Sequence, residues 1–311
     1  MTRTAAGLAL LLALLAGSAA AQSGPRTDPA LSAALRTGLT PQEYYPELQR
    51  LAEAGNLGAR AIFDGFTALG MGGHGRRADF PLACRAWESG AAVSAEAAHF
   101  TAECYEHGHG GTTDLVRAMD LYRQAGDGGS ARSLCALGRM YAAGVAVPAD
   151  PARGVGLCRQ AAETDDANAQ TDLDDFYRKG QGVTQDFAMA RHWYQRAAAQ
   201  GQRNAAYHLG AFDWSGHGGP VDMASAGQWM EKAYEFGRRD GALLAGQAAF
   251  IRAAPNAPSG PVDVELLALA KRWFLVGMTE DPDERGRAHA AVMLAQISGY
   301  EALARQQPTG E

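Results

Sequence analysis

The feature that most constrains the fold is an aspartate that returns every 35 or 36 residues through the middle of the chain. The series is Asp79, Asp114, Asp150, Asp186 and Asp222. A glycine stands six residues before each of these acids, and an alanine or glycine stands four residues after it. Large apolar or aromatic residues follow at seven or eight residues, as with Trp193 and Tyr194. Agreement of several positions across five copies indicates a tandem repeat.

Each copy has the pattern of two antiparallel helices. The alanine-rich stretch before the glycine, such as SARSLCALGRMYAAG, spaces its apolar residues by three and four, which predicts helix A. The glycine can adopt the left-handed backbone that ends a helix, and the aspartate can cap helix B. The small residue lets the two backbones approach, and the aromatic residues fill the space against the next unit. Because a single hairpin cannot bury its apolar face, we expect the hairpins to stack.

The first residues have the pattern of a secretory signal peptide over residues 1–21. Arg3 precedes an apolar run, and small residues follow up to a cleavage point after Ala21. The run is shorter than the ~20 residues that span a bilayer. We therefore expect a periplasmic or secreted chain with no membrane insertion after cleavage.

The rest of the chain divides into three predicted segments. These are a flexible leader, the repeat array and a disordered tail, over residues 22–39, 40–305 and 306–311. Thr40, followed by Pro41 and Glu43, is expected to cap helix B of an incomplete first unit. A longer last unit is predicted over residues 240–280, with a capping helix over residues 284–305.

One copy carries a family pattern in full. From Gly180 to Gly201 the chain reads G-x-G-V-x-x-D-x-x-x-A-x-x-W-Y-x-x-A-A-x-x-G, which resembles the Sel-one-like repeat, a relative of the tetratricopeptide repeat. The resemblance covers roughly residues 40 to 305 and is strongest in the units holding Asp150, Asp186 and Asp222. It implies an all-α fold, a right-handed α-solenoid of stacked antiparallel helix pairs. It also implies binding of proteins or peptides, and it does not imply an enzyme.

Four cysteines, Cys84, Cys104, Cys135 and Cys158, give an even number in a chain that we expect to be exported, which favours disulfides. Residues on antiparallel helices lie opposite each other when they are equidistant from the turn. Cys84 with Cys104 centres on residue 94, and Cys135 with Cys158 centres on residue 147, both in predicted turns. We expect these two pairings, with four buried free thiols as the alternative.

Charge and motifs argue against several functions. The chain has 28 basic and 34 acidic residues, a balance that does not favour nucleic acid as a partner. The turn histidines His74, His109 and His217 lie at least one repeat apart, too far to share a metal ion. No G-x-S-x-G motif occurs. We expect no metal, no cofactor and no enzymatic activity. The alternative, suggested by the resemblance and the compartment, is a weak cell-wall or β-lactam hydrolase.

Candidate binding residues lie on one face of helix A, eighteen, fourteen and eleven residues before each aspartate, positions that share one side of a helix. The polar residues there are Glu96 and Glu103, Arg132 and Arg139, Asn168, Asp172 and Asp175, and Asn204 and His208. Negative, positive and negative rungs therefore alternate along the array. This pattern predicts either a ladder of ion pairs between repeats or a concave groove for a protein or peptide partner, and the two are compatible.

Overall fold

The computed structural model describes residues 24–35, 41–71, 78–255 and 261–306. Over these ranges the chain forms fifteen α-helices and no β-strand. In chain order they are α1 (Pro29–Ala34), α2 (Pro41–Glu53), α3 (Leu57–Ala68), α4 (Phe80–Gly90), α5 (Ala95–His107), α6 (Leu115–Asp127), α7 (Ala131–Ala143), α8 (Pro151–Glu163), α9 (Ala167–Lys179), α10 (Phe187–Ala199), α11 (Arg203–Ser215), α12 (Met223–Glu235), α13 (Gly241–Ala253), α14 (Val264–Glu280) and α15 (Glu284–Gln306). The predicted signal peptide, Thr40, His74 and residues 307–311 lie outside the described residues.

The helices divide into two compact units. Unit 1 holds the described residues up to Met140 together with Gly144–Pro148, and unit 2 holds Tyr141–Ala143 and the chain from Ala149 onward. Inside each unit, consecutive helices pack as hairpins, for example α5 with α6 and α11 with α12. The predicted fold class, an α-solenoid of stacked helix pairs, is confirmed. Helices α3, α5, α7, α9, α11 and α13 are the A helices, and α4, α6, α8, α10, α12 and α14 are the B helices.

The aspartate series marks the start of the B helices. The capping residues of α4, α6, α8, α10 and α12 are Asp79, Asp114, Asp150, Asp186 and Asp222. At Asp186, the amides of Ala188 and Met189 each donate to the carboxylate at 2.9 Å. These bonds satisfy amide groups that have no partner inside the helix. Helices α5, α7, α9 and α11 are each followed by a glycine with left-handed backbone, namely Gly108, Gly144, Gly180 and Gly216.

Two structural features of the second glycine in the turn favour glycine at that position. Gly182 has a φ of +75°, and a Cβ added to it would lie 2.2 Å from the carbonyl oxygen of Pro151, at the start of the preceding helix B. Gly218 repeats both features, with a φ of +71° and a Cβ position 2.9 Å from the carbonyl oxygen of Phe187. The turn of one repeat therefore lies directly against the helix B start of the repeat before it.

Two turn histidines complete this contact. The ring of His109 stacks on Phe80 with centroids 4.9 Å apart, and the ring of His217 stacks on Phe187 at 4.7 Å. Each aromatic partner is the first residue of a B helix. These histidines therefore pack one repeat against its neighbour.

The predicted flexible leader is wrong for residues 24–35, which are part of unit 1. Asp28 caps α1 by accepting from the amides of Ala30 and Leu31, and Pro29 occupies the first helical position. Leu31 and Ala34 are buried in the core of unit 1. Asp28 followed by Pro29 is the same start signal that Asp150 and Pro151 give to α8.

The last unit has a longer helix B. Helix α14 has 17 residues, against 13 in α6, α8, α10 and α12, and Asp263 caps it. Ala270, Trp273 and Phe274 are buried on it at the spacing of the small and aromatic residues in the earlier repeats. Across the described ranges no helix is long and apolar enough to cross a membrane.

Candidate binding surface on the A helices

The unit 1 part of the surface holds the chain's own N-terminal residues. Glu96, in the first turn of α5, accepts hydrogen bonds from the hydroxyls of Ser32 at 2.6 Å and Ser94 at 2.9 Å. Arg132, in the first turn of α7, donates from Nη2 to the carbonyl oxygen of Leu35 at 3.2 Å. Two predicted binding residues thus contact α1 and the residue that follows it.

Glu103, two turns after Glu96 on α5, is paired with His99 of the same helix. His99 Nε2 lies 3.4 Å from a carboxylate oxygen of Glu103, and the other ring nitrogen of His99 lies 3.0 Å from the hydroxyl oxygen of Ser133. Burial raises the pKa of Glu103, but the hydrogen bond from His99 and the charges of His99, Arg132 and His107 outweigh it, so the pKa lies below its ordinary value. Arg139 lies about two turns after Arg132 on α7 and is exposed.

In unit 2 the rungs are hydrogen-bonded from one repeat to the next. Gln202 Nε2 donates to Asn168 Oδ1 at 3.4 Å, and Arg238 Nη1 donates to Asn204 Oδ1 at 2.9 Å. Arg238 also lies 3.5 Å above the ring of Tyr207. Contacts between repeats are therefore present here, but these two are hydrogen bonds to neutral amides and not the predicted ion pairs.

Asp175 is held by its own helix. Arg178 and Lys179 both donate to its carboxylate, the lysine at 2.9 Å. Burial raises the pKa of Asp175, but these two hydrogen bonds and the two positive charges outweigh it, and the pKa is lowered. Asp172, one turn before, is partly buried on the same face. The acidic rung predicted from sequence is therefore partly neutralised locally.

His208 is a packing residue as much as a surface residue. Its ring stacks on Tyr194 of α10, with centroids 5.0 Å apart and an angle of 16° between the planes. Burial, followed by the charges of Arg238 and Arg178, lowers the pKa of His208, and Asp175 opposes them. The ring is therefore neutral at neutral pH.

Asp174 was not identified from the sequence. Its register is occupied in other repeats by small residues, Ala102, Gly138 and Gly210, which let helix A approach helix B. Asp174 is 1% exposed, and its Oδ2 atom has no hydrogen-bond partner, with Arg178 Nε 3.7 Å away. The sequence signal that could have identified Asp174 is a charged residue at a repeat position that holds a small residue in other copies.

The environment of Asp174 favours its neutral form. Burial raises its pKa to about 7, against the opposing hydrogen bond with Tyr194, and the charges of Asp175 and Asp172 add to the rise while Arg178 opposes it. Burial and Asp174 in turn raise the pKa of Tyr194, so its hydroxyl keeps its proton. Below about pH 7, a protonated carboxyl is therefore buried between α9 and α10.

A second buried acid has a full set of partners. Asp213 on α11 accepts from Arg191 Nη1 at 2.6 Å and from the hydroxyl of Ser225. Asp213 is 4% exposed, and the arginine side chain is mostly buried. These contacts join α10, α11 and α12, so we interpret the cluster as a structural ion pair.

The cysteines are oxidised. Cys84 on α4 and Cys104 on α5 form a disulfide with their Cα atoms 5.9 Å apart. Cys135 and Cys158 are disulfide-bonded as well, and none of the four cysteines is free. The alternative of four free thiols is therefore wrong.

The described residues do not assemble a metal site. Over those ranges, no group of three or more His, Cys, Asp or Glu side chains is placed to hold a metal ion. An open cleft of about 320 Å³ lies between α14 and α15, lined mainly by aliphatic side chains such as Val264 and Leu267.

Comparison with known proteins assigns the repeats. The Sel1 repeat family matches residues 95–130, 131–166, 167–202 and 203–235, each match beginning with a helix A. No curated protein matches the chain significantly.

Solved structures of the same repeat class resemble the chain. A Sel1 repeat protein from Oxalobacter formigenes is 20% identical with a TM-score of 0.54, and the match covers 78% of this chain and 93% of that one. A protective antigen of uropathogenic Escherichia coli strains, displaying an SLR fold, is 23% identical with a TM-score of 0.48, covering 85% of this chain and 64% of that one. The immunity protein Pa5087 from Pseudomonas aeruginosa is 18% identical with a TM-score of 0.43, covering 76% and 81%. The chain belongs to the Sel1-like repeat family.

Proposed function

We propose that this protein is an exported scaffold without enzymatic activity, which binds a protein or peptide along the polar faces of its A helices. Sel1 repeat proteins generally mediate protein–protein interactions and are typically non-enzymatic. The observation that carries the proposal is that the unit 1 face holds a peptide segment, residues 24–35 of the same chain, through Glu96 and Arg132.

The compartment rests on two observations. Disulfides persist in oxidising compartments such as the bacterial periplasm, and all four cysteines are oxidised. The pattern of residues 1–21 is that of a signal peptide. Both support a periplasmic or secreted location. The hydrolase alternative is suggested only by the family resemblance and by the same compartment.

A crosslinking pull-down from the cell envelope tests the scaffold function. The bait is the mature chain, and the test variant carries Arg132→Glu and Arg139→Glu, which reverse the basic rung of α7. We expect a specific partner to be crosslinked by wild type and to be lost in the variant, with helicity unchanged.

The matched control reverses two exposed arginines on B helices of unit 1, Arg85 on α4 and Arg123 on α6. It makes the same change in net charge away from the A helices. Capture that survives the Arg132 and Arg139 change, or that is lost equally in the control, contradicts the assignment of the surface.

A further inference from the structure

Residues 24–35 bind unit 1 in the way that a separate peptide would. The extended part bridges two turns that lead into A helices. The carbonyl oxygen of Arg26 accepts from the amide of Ala95 at 3.1 Å, and the amide of Thr27 donates to the carbonyl oxygen of Gly128 at 2.9 Å. Backbone hydrogen bonds of this kind give a peptide affinity and register.

The helical part is fixed by one apolar anchor and two polar contacts. Leu31 is fully buried, and a Cβ added to Gly58 of α3 would lie 3.2 Å from its Cδ2 atom. Asp28 accepts a hydrogen bond from Asn56 Nδ2 at 2.8 Å. Ser32 donates to Glu96. The segment thus reaches the N-terminal ends of three successive A helices, α3, α5 and α7.

Gly128 lacks a side chain at the point where residues 24–35 contact the turn between α6 and α7. Its φ of −77° and ψ of −4° are ordinary for any residue, so the backbone does not require a glycine. A Cβ added at Gly128 would lie 1.9 Å from the carbonyl oxygen of Pro25. The glycine is needed only because the segment lies there.

The same turn position in the later repeats supports this reading. It is occupied by Thr164, Gln200 and Phe236, with φ values of −77°, −93° and −76°. Side chains of increasing size are therefore compatible with the repeat itself. Only in the turn between α6 and α7 is the space left open, among the described turns of the matched repeats.

We infer that residues 24–35 are a resident ligand of unit 1, and that the partner is a peptide of the same chemistry that displaces them. Such a peptide has an extended stretch, an Asp-Pro helix start and a leucine three residues after the aspartate. The inference rests on the proposed function and names both the partner class and its regulation. A tethered segment has a high effective concentration, so it shields the surface until a competitor arrives.

The experiment uses a fluorescein-labelled synthetic peptide of residues 24–36 and the full mature chain, with binding followed by fluorescence anisotropy. Leu31→Glu in the chain removes the buried anchor and frees the surface. We expect the Leu31→Glu chain to bind the peptide at least tenfold more tightly than wild type does. A peptide carrying the same leucine change should not bind.

Gly128→Thr is the matched control, because threonine is the residue at the same position one repeat later, Thr164. Added to the Leu31→Glu chain, it should reduce peptide affinity at least tenfold without lowering the melting temperature further. Equal binding by wild type and Leu31→Glu chains, or binding that survives Gly128→Thr, overturns the inference.

Hydrogen exchange keeps the test decisive if Leu31→Glu fails to fold. In the single variant Gly128→Thr, the amides of Thr27 and Ala95 should exchange at least tenfold faster while the helix interiors are unchanged. Unchanged exchange at both amides overturns the inference.

If a partner is captured through Arg132 but the peptide does not bind, the scaffold function stands and the inference fails. If the peptide binds and no envelope protein is captured, peptide binding by unit 1 stands and the scaffold function fails.

Discussion

The A-helix faces of the two units have the same register and different contents. In unit 1, Glu96 and Arg132 bind a separate part of the chain, residues 24–35. In unit 2, Asn168 and Asn204 accept hydrogen bonds from the following repeat. The same positions on helix A can therefore bind a ligand segment in one unit and accept hydrogen bonds from the next repeat in the other. Which of the two occurs depends on the residues that lie within hydrogen-bonding distance.

The interiors of the two units differ as well. Unit 1 is stapled between α4 and α5 by the disulfide of Cys84 and Cys104. Unit 2 contains Asp174, a buried acid at a register that otherwise holds small residues. We therefore expect loss of the disulfide between Cys84 and Cys104 to destabilise unit 1, and a change of pH to act on unit 2 through Asp174.

Removing the disulfide of unit 1 should have the largest effect. Replacing Cys84 and Cys104 by serine frees a loop of 20 residues in the unfolded chain, which is worth about 3 kcal/mol on the chain-entropy model. Urea unfolding, followed by hydrogen exchange at α4 and α5, measures the loss. Equal stability of the variant and the oxidised wild type would show that this disulfide does not stabilise unit 1.

Raising the pH should destabilise unit 2 through Asp174. Its pKa is 3.8 as the unperturbed value and about 7 in the folded chain, so folding favours the protonated form. That stability is complete below the unfolded pKa and is lost as pH rises through the folded pKa, by roughly 2.5 kcal/mol between pH 5 and pH 8. Urea unfolding of wild type and Asp174→Asn at both pH values measures the difference.

The control for that experiment is Asp175→Asn, on the neighbouring residue. Because the pKa of Asp175 is lowered in the fold, its contribution is present at higher pH and lost as pH falls. Its substitution should therefore change stability with the opposite pH dependence. A wild-type pH profile that Asp174→Asn leaves unchanged would show that the acid is solvated.

The repeat architecture was predictable because its signals are local. The cap at Asp186 and the left-handed Gly180 act within a few residues of the chain. Their spacing therefore predicts where helices begin and end before any packing is known. The disulfides were expected for a related reason, since hairpin geometry ties sequence distance to spatial distance.

The contacts on the surface were not predictable in the same way. The binding of residues 24–35 depends on Gly128 and Pro25, which are 103 residues apart in sequence and meet only in the folded unit. The partner of Asn168 is Gln202, a helix cap of the next repeat, and not the same register of the next helix A. Such pairs depend on how far each side chain extends, and the repeat period does not predict that distance.

The smallest predicted effect concerns the turn glycine, where the two units again differ. Unit 1 has Ala146 with a φ of +63° at the position where unit 2 has Gly182 with a φ of +75°. A left-handed backbone costs a non-glycine residue about 1–2 kcal/mol, partly offset by the greater unfolded-state entropy of glycine. Ala146→Gly should therefore stabilise the protein by about 0.5–1 kcal/mol in urea unfolding. Gly182→Ala should destabilise it by more than that amount, because its Cβ would also meet the Pro151 carbonyl oxygen. Equal and opposite effects would mean that this contact relaxes and that backbone conformation alone sets the preference for glycine.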